Sequence, residues 1–176
     1  HDMNLTHVIR GDDHVNNTPR QINVYRALGY ELPAFGHVPM ILGDDGERLS
    51  KRHGAVSVMH YRDQGFLPDA VLNYLARLGW SHGDDEIFSR DQFLEWFDLE
   101  HVNRSPAKFD ATKLSWTNGE HINLADDELL ADLVRANPGG QDIIWEDGPN
   151  LSDLIKLLKD RATSLNDLAD SVLMFF

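Results

Sequence analysis

A short basic segment, Arg48-Leu49-Ser50-Lys51-Arg52, stands in an otherwise acidic chain. Gly43 and Gly46 precede it and Gly54 follows it, and because glycine has no Cβ these positions predict a loop that can change conformation. Cations and a hydroxyl on such a loop suit one chemistry: they can close on a phosphate chain and stabilise charge that develops during phosphoryl or nucleotidyl transfer. From these five residues alone, a solvated basic turn is an equally good interpretation.

The composition limits the class of protein. The 176 residues contain no cysteine, which excludes disulfides and thiolate metal sites and fits a reducing, cytoplasmic compartment. No apolar run approaches the roughly 18 residues of a membrane span, so we expect no membrane partner. The net charge of −13 disfavours nucleic acid, but residues 1–54 carry six Lys/Arg against seven Asp/Glu, a net charge of −1. A local basic face therefore remains possible.

The first third of the chain predicts a strand, a helix and a second strand. Residues 5–9 and 37–42 are the strand candidates, and the helix between them begins at Thr18 as N-cap and stops at Gly29. This order predicts a parallel sheet, in which ligands bind beyond the carboxyl ends of the strands. The loops at 10–14 and 43–53 would both lie there.

The rest of the chain shows helical periodicity and capping signals. Helices are predicted over residues 57–63, 68–78, 89–97, 110–118, 124–135, 151–159 and 164–175. The predicted fold class is therefore α/β, with a small α/β unit followed by helices.

Several stretches together carry a resemblance to a known family. They are Thr6-His7-Val8-Ile9-Arg10-Gly11-Asp12-Asp13-His14, His37-Val38-Pro39-Met40-Ile41-Leu42, Arg48 through Gly54, Gly65-Phe66-Leu67-Pro68, Asn73-Tyr74-Leu75, Leu78-Gly79-Trp80-Ser81 and Phe109-Asp110 with Lys113-Leu114. In order and spacing, over roughly residues 5–122, the chain resembles the glutamyl-tRNA synthetases, which are class I aminoacyl-tRNA synthetases. This pattern is far more specific than the five-residue loop.

The resemblance implies an activity and a domain plan. It implies an aminoacyl-tRNA ligase of protein biosynthesis, which uses ATP to convert glutamate to glutamyl-adenylate and transfers it to the tRNA 3′ end. The implied partners are tRNA, ATP with Mg²⁺, and L-glutamate, in a cytoplasmic protein that is a monomer. Residues 1–54 would be the C-terminal part of a Rossmann-like nucleotidyltransferase domain, 55–122 a mostly helical stem-contact domain, and 123–176 the start of a helical anticodon-binding region.

The basic segment resembles the KMSKS signature of class I synthetases, and we expect Lys51, Arg48 and Ser50 to act in catalysis. Lys51 matches the second lysine of the signature, which contacts ATP phosphates and stabilises charge at the α-phosphate. Ser50 would hydrogen-bond to the nucleotide or hold the loop. Arg48 departs from the usual first lysine, because it keeps the charge but not the point-charge geometry.

Other site residues follow from the same resemblance. Arg10 matches the arginine that binds the side-chain carboxylate of glutamate, for which a guanidinium offers two parallel donors. Asp13 would orient Arg10 or other groups of the site. Met40 and Ile41 match the strand end whose backbone holds adenine in this family, although their side chains suit a plain core role equally. We predict no structural metal site, because the acidic run Asp84-Asp85-Glu86 reads as exposed turn charge.

The chain has no HIGH motif, the second signature of this class. The resemblance therefore implies an internal fragment of a larger protein, which has half of the catalytic site and does not activate glutamate alone. Three alternatives remain: a glutaminyl-tRNA synthetase, which would pass into β-barrels; a paralogue that glutamylates a tRNA base, which would stop near residue 122; and a non-catalytic module that kept the fold.

Overall fold

The structure is a computed structural model that describes residues 1–43, 45–50, 57–137, 144–145 and 148–176. Within this part of the chain, β1 (His7–Gly11) and β2 (Ala34–Val38) form a parallel two-stranded sheet. The register pairs His7 with Ala34 and runs to Gly11 with Val38. The small parallel sheet confirms the predicted α/β class.

Both strands differ in position from the prediction. β1 starts and ends two residues later than the predicted 5–9, and β2 ends at Val38 instead of reaching residue 42. Pro39 follows β2 directly, and its missing N–H cannot continue a ladder of hydrogen bonds. Residues 39–42 therefore leave the sheet and lead into the loop of interest.

Helices account for about half of the chain. They are α1 (Thr18–Ala27), α2 (Val58–Asp63), α3 (Pro68–Gly79), α4 (Arg90–Trp96), α5 (Ala111–Leu124), α6 (Asp127–Arg135), α7 (Leu151–Leu158) and α8 (Leu165–Leu173), with short 3₁₀ helices at Asp12–Asn17 and Lys159–Arg161. Of the helices that the described ranges contain, none has the length and apolar character that crossing a membrane requires.

Capping side chains set where the helices begin. The predicted capping box of α4 is confirmed, since Ser89 accepts the Gln92 N–H and the Gln92 side chain accepts the Ser89 N–H. The predicted start of α6 at residue 124 is wrong, because Asp126 caps a helix that begins at Asp127. α5 instead continues through Leu124, beyond its predicted end at 118.

The main hydrophobic core lies in the helical part. One cluster joins the start of α3 and the end of α5 to α6, α7 and α8; its fully buried members include Ile122, Leu130, Ile155, Leu168 and Val172. α1, in contrast, has no buried residue. The helices beyond residue 123 therefore pack on those before it in one core.

A buried asparagine joins three segments of this core. Asn118, on α5, has no exposed surface. Its Oδ1 accepts the Leu67 N–H at 2.8 Å, and its Nδ2 donates to the carbonyls of Thr163 at 2.7 Å and Gly65 at 3.4 Å. The Leu165 N–H also donates to the Gly65 carbonyl, at 2.8 Å. The turn before α3 and the turn before α8 are thus held to the same helix.

A second buried polar chain connects α5 and α3. Asn73, which is 1% exposed, uses Oδ1 to accept the Phe88 N–H at 3.1 Å and Nδ2 to donate to the Glu86 carbonyl at 2.9 Å. His121 Nε2 lies 2.8 Å from the same Oδ1, so this nitrogen is the donor and carries the proton. Burial lowers the pKa of His121, and the nearby Asp69 carboxylate partly opposes that shift.

The low pKa of His121 predicts a pH-dependent stability. Folding favours neutral His121, so its contribution is complete above the unfolded pKa of about 6.5 and is lost as the pH falls below it, towards the lower folded pKa. We expect the free energy of unfolding of the chain to rise as the pH rises towards about 7, and His121 should contribute at most about 1.4 kcal/mol per pH unit to that rise. Urea unfolding at several pH values measures it.

His121→Gln is the test variant, because the glutamine amide keeps a donor at the position of Nε2 but does not titrate. Its unfolding free energy should depend less on pH than that of the unmodified chain. His60→Gln serves as the control, since His60 is exposed and has no ion pair among the described residues. Equal pH dependence in His121→Gln and the unmodified chain would contradict the assignment.

Candidate functional site

Leu42 anchors the base of the predicted phosphate loop to the helical part. It pairs on one side with Arg48, in an antiparallel bridge, and on the other with Lys108, in a parallel bridge. Its N–H donates to the Ala107 carbonyl at 2.9 Å, and its carbonyl accepts the Phe109 N–H at 2.8 Å. The segment just before α5 therefore fixes where the loop begins.

A tight turn separates Leu42 from Arg48. The Gly43 N–H donates to the Glu47 carbonyl at 2.8 Å, and the Gly46 N–H donates to the Gly43 carbonyl at 3.0 Å. Gly46 has φ +79°, where a side chain would be strained. The Leu49 N–H then donates to the Ile41 carbonyl at 2.9 Å. Gly43 and Gly46, which precede the basic segment, thus build a hairpin that returns the chain towards residue 41.

Arg10 lies near the carboxyl end of β1, where two neighbours hold its guanidinium. The register pairs it with His37, whose Nε2 accepts from Arg10 Nε at 3.4 Å. Arg10 Nη2 donates to Thr18 Oγ1 at 2.9 Å, and the Arg10 guanidinium carbon lies 5.5 Å from the centre of the Phe35 ring. Among the described residues Arg10 has no ion pair, so its charge remains available to an anionic ligand.

The three-way contact also defines the state of His37. Arginine is only a donor, so its contact with Nε2 requires the lone pair of that nitrogen. Thr18 Oγ1 lies 3.0 Å from the same Nε2 and therefore donates its hydroxyl proton to it. The geometry thus assigns the neutral tautomer with the proton on Nδ1. The Thr18 hydroxyl thus bridges the two side chains, because it accepts from Arg10 and donates to His37.

The role of Thr18 as N-cap, predicted from the sequence, is wrong. Asn17 occupies the N-cap position without a side-chain capping bond, and Thr18 is the first residue of α1. Its hydroxyl cannot cap the helix because it bonds to Arg10 and His37. Sequence reasoning missed both Thr18 and His37 as site residues, although a correct strand register would have placed His37 beside Arg10.

Asp13 connects the two predicted site loops. Its Oδ2 lies 3.0 Å from Nη1 of Arg48, so the 3₁₀ turn after β1 touches the base of the basic segment. The expected role of Asp13 was to orient Arg10 or other groups of the site, and its partner is Arg48. The Arg48 side chain is 65% exposed and that of Asp13 is 26% exposed. An ion pair this open to water contributes little stability.

The remaining predicted residues lie along the same path. Met40, Leu49 and Ser50 are half-buried. Ile41 packs against the buried cluster of Tyr74, Leu78 and Leu114. Its side chain therefore belongs to the core, while its carbonyl faces the hairpin. Lys51 and Arg52, on which the phosphate-loop interpretation depends most, lie outside the described residues.

A cavity of about 560 Å³ opens beside the sheet. Its walls include Ile9, Phe35 and His37 from the strands, with Leu99 and Asn103 opposite them. None of the site residues predicted from the sequence lines it. His37 is the link between this cavity and the Arg10 cluster. Among the described residues, no group of three or more histidine, aspartate or glutamate side chains is arranged to hold a metal ion.

Comparison with known proteins identifies the family. The sequence model of one protein family, described as tRNA synthetases class I (E and Q), catalytic domain, matches residues 1–116, about two thirds of the chain. The chain belongs to this family of class I tRNA synthetases. The match includes Arg10, Asp13 and the whole basic segment.

Relatives named glutamate–tRNA ligase match nearly the whole chain. The protein of Nitrosospira multiformis is 61% identical over 99% of this chain, and that of a Janthinobacterium species is 60% identical over the same share. The chain spans 38% of the length of each of these relatives.

Solved structures agree in fold. A glutamate tRNA ligase from Elizabethkingia meningosepticum, in complex with its amino acid, superposes on all of this chain with a TM-score of 0.83 at 31% identity, covering 39% of that structure. The glutamate-tRNA synthetase of Elizabethkingia anophelis superposes with a TM-score of 0.79 at 32% identity. The match covers 97% of this chain and 38% of that structure.

The Asp13–Arg48 pair predicts a weak, salt-sensitive coupling. We expect a double-mutant cycle with Asp13→Asn and Arg48→Gln, read by urea unfolding of the chain, to give a coupling energy of about 0–1 kcal/mol at low ionic strength. In about 1 M NaCl, where the Debye length is near 3 Å, the coupling should vanish. The exposed pair Asp132 and Arg135 provides a matched control. A coupling above about 2 kcal/mol that survives salt would show that the pair is desolvated.

Proposed function

We propose that the full-length protein is a glutamate–tRNA ligase. It uses ATP to convert glutamate to glutamyl-adenylate and then transfers the glutamyl group to the 3′ end of tRNA. The observation that carries this proposal is the 61% identity, over 99% of this chain, to a relative of that name. The partners are accordingly tRNA, ATP and L-glutamate.

The alternatives fit less well. The family model includes both glutamate and glutamine enzymes, but the relatives and solved structures described above carry the glutamate name. A paralogue that ends near residue 122 does not account for a match that continues through the last helices. A non-catalytic module would not need the lysine of the basic segment, and the Lys51 variant described below tests it.

Arg10 binds the side-chain carboxylate of glutamate in this proposal. Thr18 and His37 hold the guanidinium by one edge, and no carboxylate among the described residues competes for it. A held guanidinium loses less conformational freedom on binding than a free one, so the pre-organised contact favours a planar anion. Thr18 and His37 are positioning residues, because they act through Arg10.

The basic segment acts on the phosphates of ATP. Lys51 supplies a compact charge that stabilises the α-phosphate as the glutamate α-carboxylate attacks it and pyrophosphate leaves. Arg48 has its charge partly balanced by Asp13, which is paired with its Nη1, and this weakens its attraction for a phosphate. The main share of charge stabilisation therefore goes to Lys51. Ser50 completes the segment by bonding to the nucleotide or to the loop.

The adenine of ATP is assigned to the backbone of Met40 and Ile41, next to the hairpin. The Ile41 carbonyl accepts the Leu49 N–H, so an adenine bound by this backbone would lie next to the basic segment. Mg²⁺ enters bound to the phosphates of ATP and supplies charge neutralisation there. No described residue is assigned to it as a ligand.

The domain plan is part of the proposal. Residues 1–54 belong to the Rossmann-like catalytic domain, 55–122 to the stem-contact domain and 123–176 to the start of the anticodon-binding region. α5 runs across residue 122 and shares one buried cluster with α6–α8, which supports close packing between the last two proposed units. We further propose that the protein is a monomer and that it is cytoplasmic; the absence of cysteine agrees with a reducing compartment.

Removing the Thr18 hydroxyl should weaken glutamate binding. In the full-length protein, Thr18→Val keeps the side-chain shape but removes the acceptor for Arg10 and the donor to His37. A hydrogen bond to a charged group contributes about 1.5–3 kcal/mol, so the KM for glutamate should rise by roughly tenfold or more, with a smaller change in kcat. ATP–pyrophosphate exchange at varied glutamate measures both constants.

Thr18→Ser is the matched control for that measurement, because it keeps the hydroxyl and loses only a methyl group. It should retain a KM for glutamate near that of the unmodified protein, and neither variant should change the KM for ATP. A normal glutamate KM in Thr18→Val would contradict the positioning role.

Removing the Lys51 ammonium should slow the activation step. In the full-length protein we expect Lys51→Ala to lower kcat for ATP–pyrophosphate exchange by about 10²–10³-fold, the typical cost of losing one transition-state donor. The free energy of unfolding should stay within about 0.5 kcal/mol, because we expect Lys51 to be a loop residue. Lys156→Ala, on the exposed face of α7, is the control. Unchanged exchange in Lys51→Ala would favour the non-catalytic alternative.

A further inference from the structure

The hairpin that leads into the basic segment is attached to the helical part of the chain rather than to the sheet. β2 ends at Val38, and Leu42, at the base of the hairpin, pairs with the segment that precedes α5. The Leu42 N–H donates to the Ala107 carbonyl, and the Phe109 N–H donates to the Leu42 carbonyl. Contacts that fix residues 107–110 therefore also fix the base of the hairpin.

Tyr74, in the middle of α3, holds this segment from inside the core. The residue is 4% exposed, and its Oη accepts the Asp110 N–H at 2.7 Å. Its ring meets the Phe109 ring edge to face, with 5.4 Å between the ring centres and 88° between the planes. A hydrogen bond is directional, so the two contacts together define where residues 109–110 lie and how their backbone is oriented.

The same tyrosine also contacts the other side of the hairpin base. Tyr74, Leu78 and Leu114 form a buried cluster, against which Ile41 packs together with Ala107 and Phe109. The Ile41 carbonyl accepts the Leu49 N–H at 2.9 Å, and Leu49 lies directly before Ser50. Tyr74 is thus connected to the basic segment through Ile41 as well as through residues 107–110.

We propose that Tyr74 is a positioning residue for the reaction, and that its hydroxyl defines where the basic segment meets the phosphates of ATP. The inference rests on the proposed function, which assigns that segment to ATP. Arg10 is held by different contacts, from Thr18 and His37 in the α/β unit. Loss of the Tyr74 hydroxyl should therefore disturb the ATP end of the site and leave the glutamate end intact.

The Asp110 N–H is the group that loses its partner when the hydroxyl is removed. The Asp110 side chain is already engaged at the start of α5, where Oδ1 accepts the N–H groups of Thr112 at 2.8 Å and Lys113 at 3.1 Å. In Tyr74→Phe the ring still packs against Phe109, but the N–H must find another acceptor, and the backbone shifts to reach it. A shift of about 1 Å in the geometry of reacting groups can lower a rate by as much as about 100-fold.

Tyr74→Phe in the full-length protein, assayed by ATP–pyrophosphate exchange in the presence of tRNA, tests the proposal. We expect kcat to fall by roughly tenfold, while the KM for glutamate stays within about twofold of that of the unmodified protein. Tyr61→Phe is the matched control. The Tyr61 ring lies 6.4 Å from the same Phe109 ring, but its hydroxyl makes no hydrogen bond in the part of the chain that the structure describes. It should leave kcat unchanged.

A second comparison separates positioning from a general loss of stability. In the Lys51→Ala background, Tyr74→Phe should have little further effect on kcat, because both substitutions act through the same charge. Ile155→Val, in the buried cluster of α6–α8, should lower the stability by an amount comparable to the loss of one hydrogen bond. It should leave kcat unchanged, and urea unfolding verifies that the stabilities of the two variants are comparable.

Three results would overturn the proposal: a normal kcat in Tyr74→Phe, an equal fold reduction with and without Lys51, or a raised KM for glutamate with normal kcat. If the unmodified protein shows no glutamate-dependent exchange, or if Lys51→Ala leaves exchange unchanged, the proposed function fails and this inference fails with it. Exchange that depends on Lys51 but not on Tyr74 overturns the inference alone.

Discussion

The arrangement of the chain depends on one buried amide. Asn118 is fully enclosed, and an enclosed amide is costly unless its donors and acceptor are paired. Its amide forms hydrogen bonds with the turn before α3 and the turn before α8, so neither turn can move without leaving a polar group unpaired. The start of α5 is thereby fixed, and with it the 107–109 segment that holds Leu42. The hairpin of the candidate site is positioned from the core outwards.

Two kinds of contact organise the candidate site, and they do different work. Backbone pairing at Leu42 fixes the hairpin, because a ladder of hydrogen bonds is directional and partly protected from water. The Asp13–Arg48 pair is open to solvent and adds little stability, but it balances the charge of Arg48. Within the described part of the chain Arg10 has no such acid, and the side chains that contact its guanidinium are neutral. The Arg48 guanidinium is therefore paired with a carboxylate, whereas that of Arg10 is held only by neutral groups among the described residues.

The sequence predicted best what local signals decide. The Ser89 capping box and the bounds of α3, with Pro68 at its start and Gly79 at its end, depend on residues a few positions apart. The parallel pairing of the strands followed from the order of elements. The hydrogen bond between Thr18 and Arg10 was missed. Whether the Thr18 hydroxyl caps α1 or bonds to Arg10 depends on the strand register, which local signals do not define. Local signals also do not define the contact of Asp13 with Arg48, because it joins segments 35 residues apart.

The exposure of α1 has a thermodynamic consequence. No residue of that helix is buried, and about half of the surface is exposed for Val24 in the helix, Leu28 directly after it and Ile9 in the neighbouring strand. Heat capacity and denaturant sensitivity of unfolding both scale with the area that becomes exposed. The N-terminal unit adds little to either quantity, so the chain should unfold with the heat-capacity change of a protein noticeably shorter than its 176 residues.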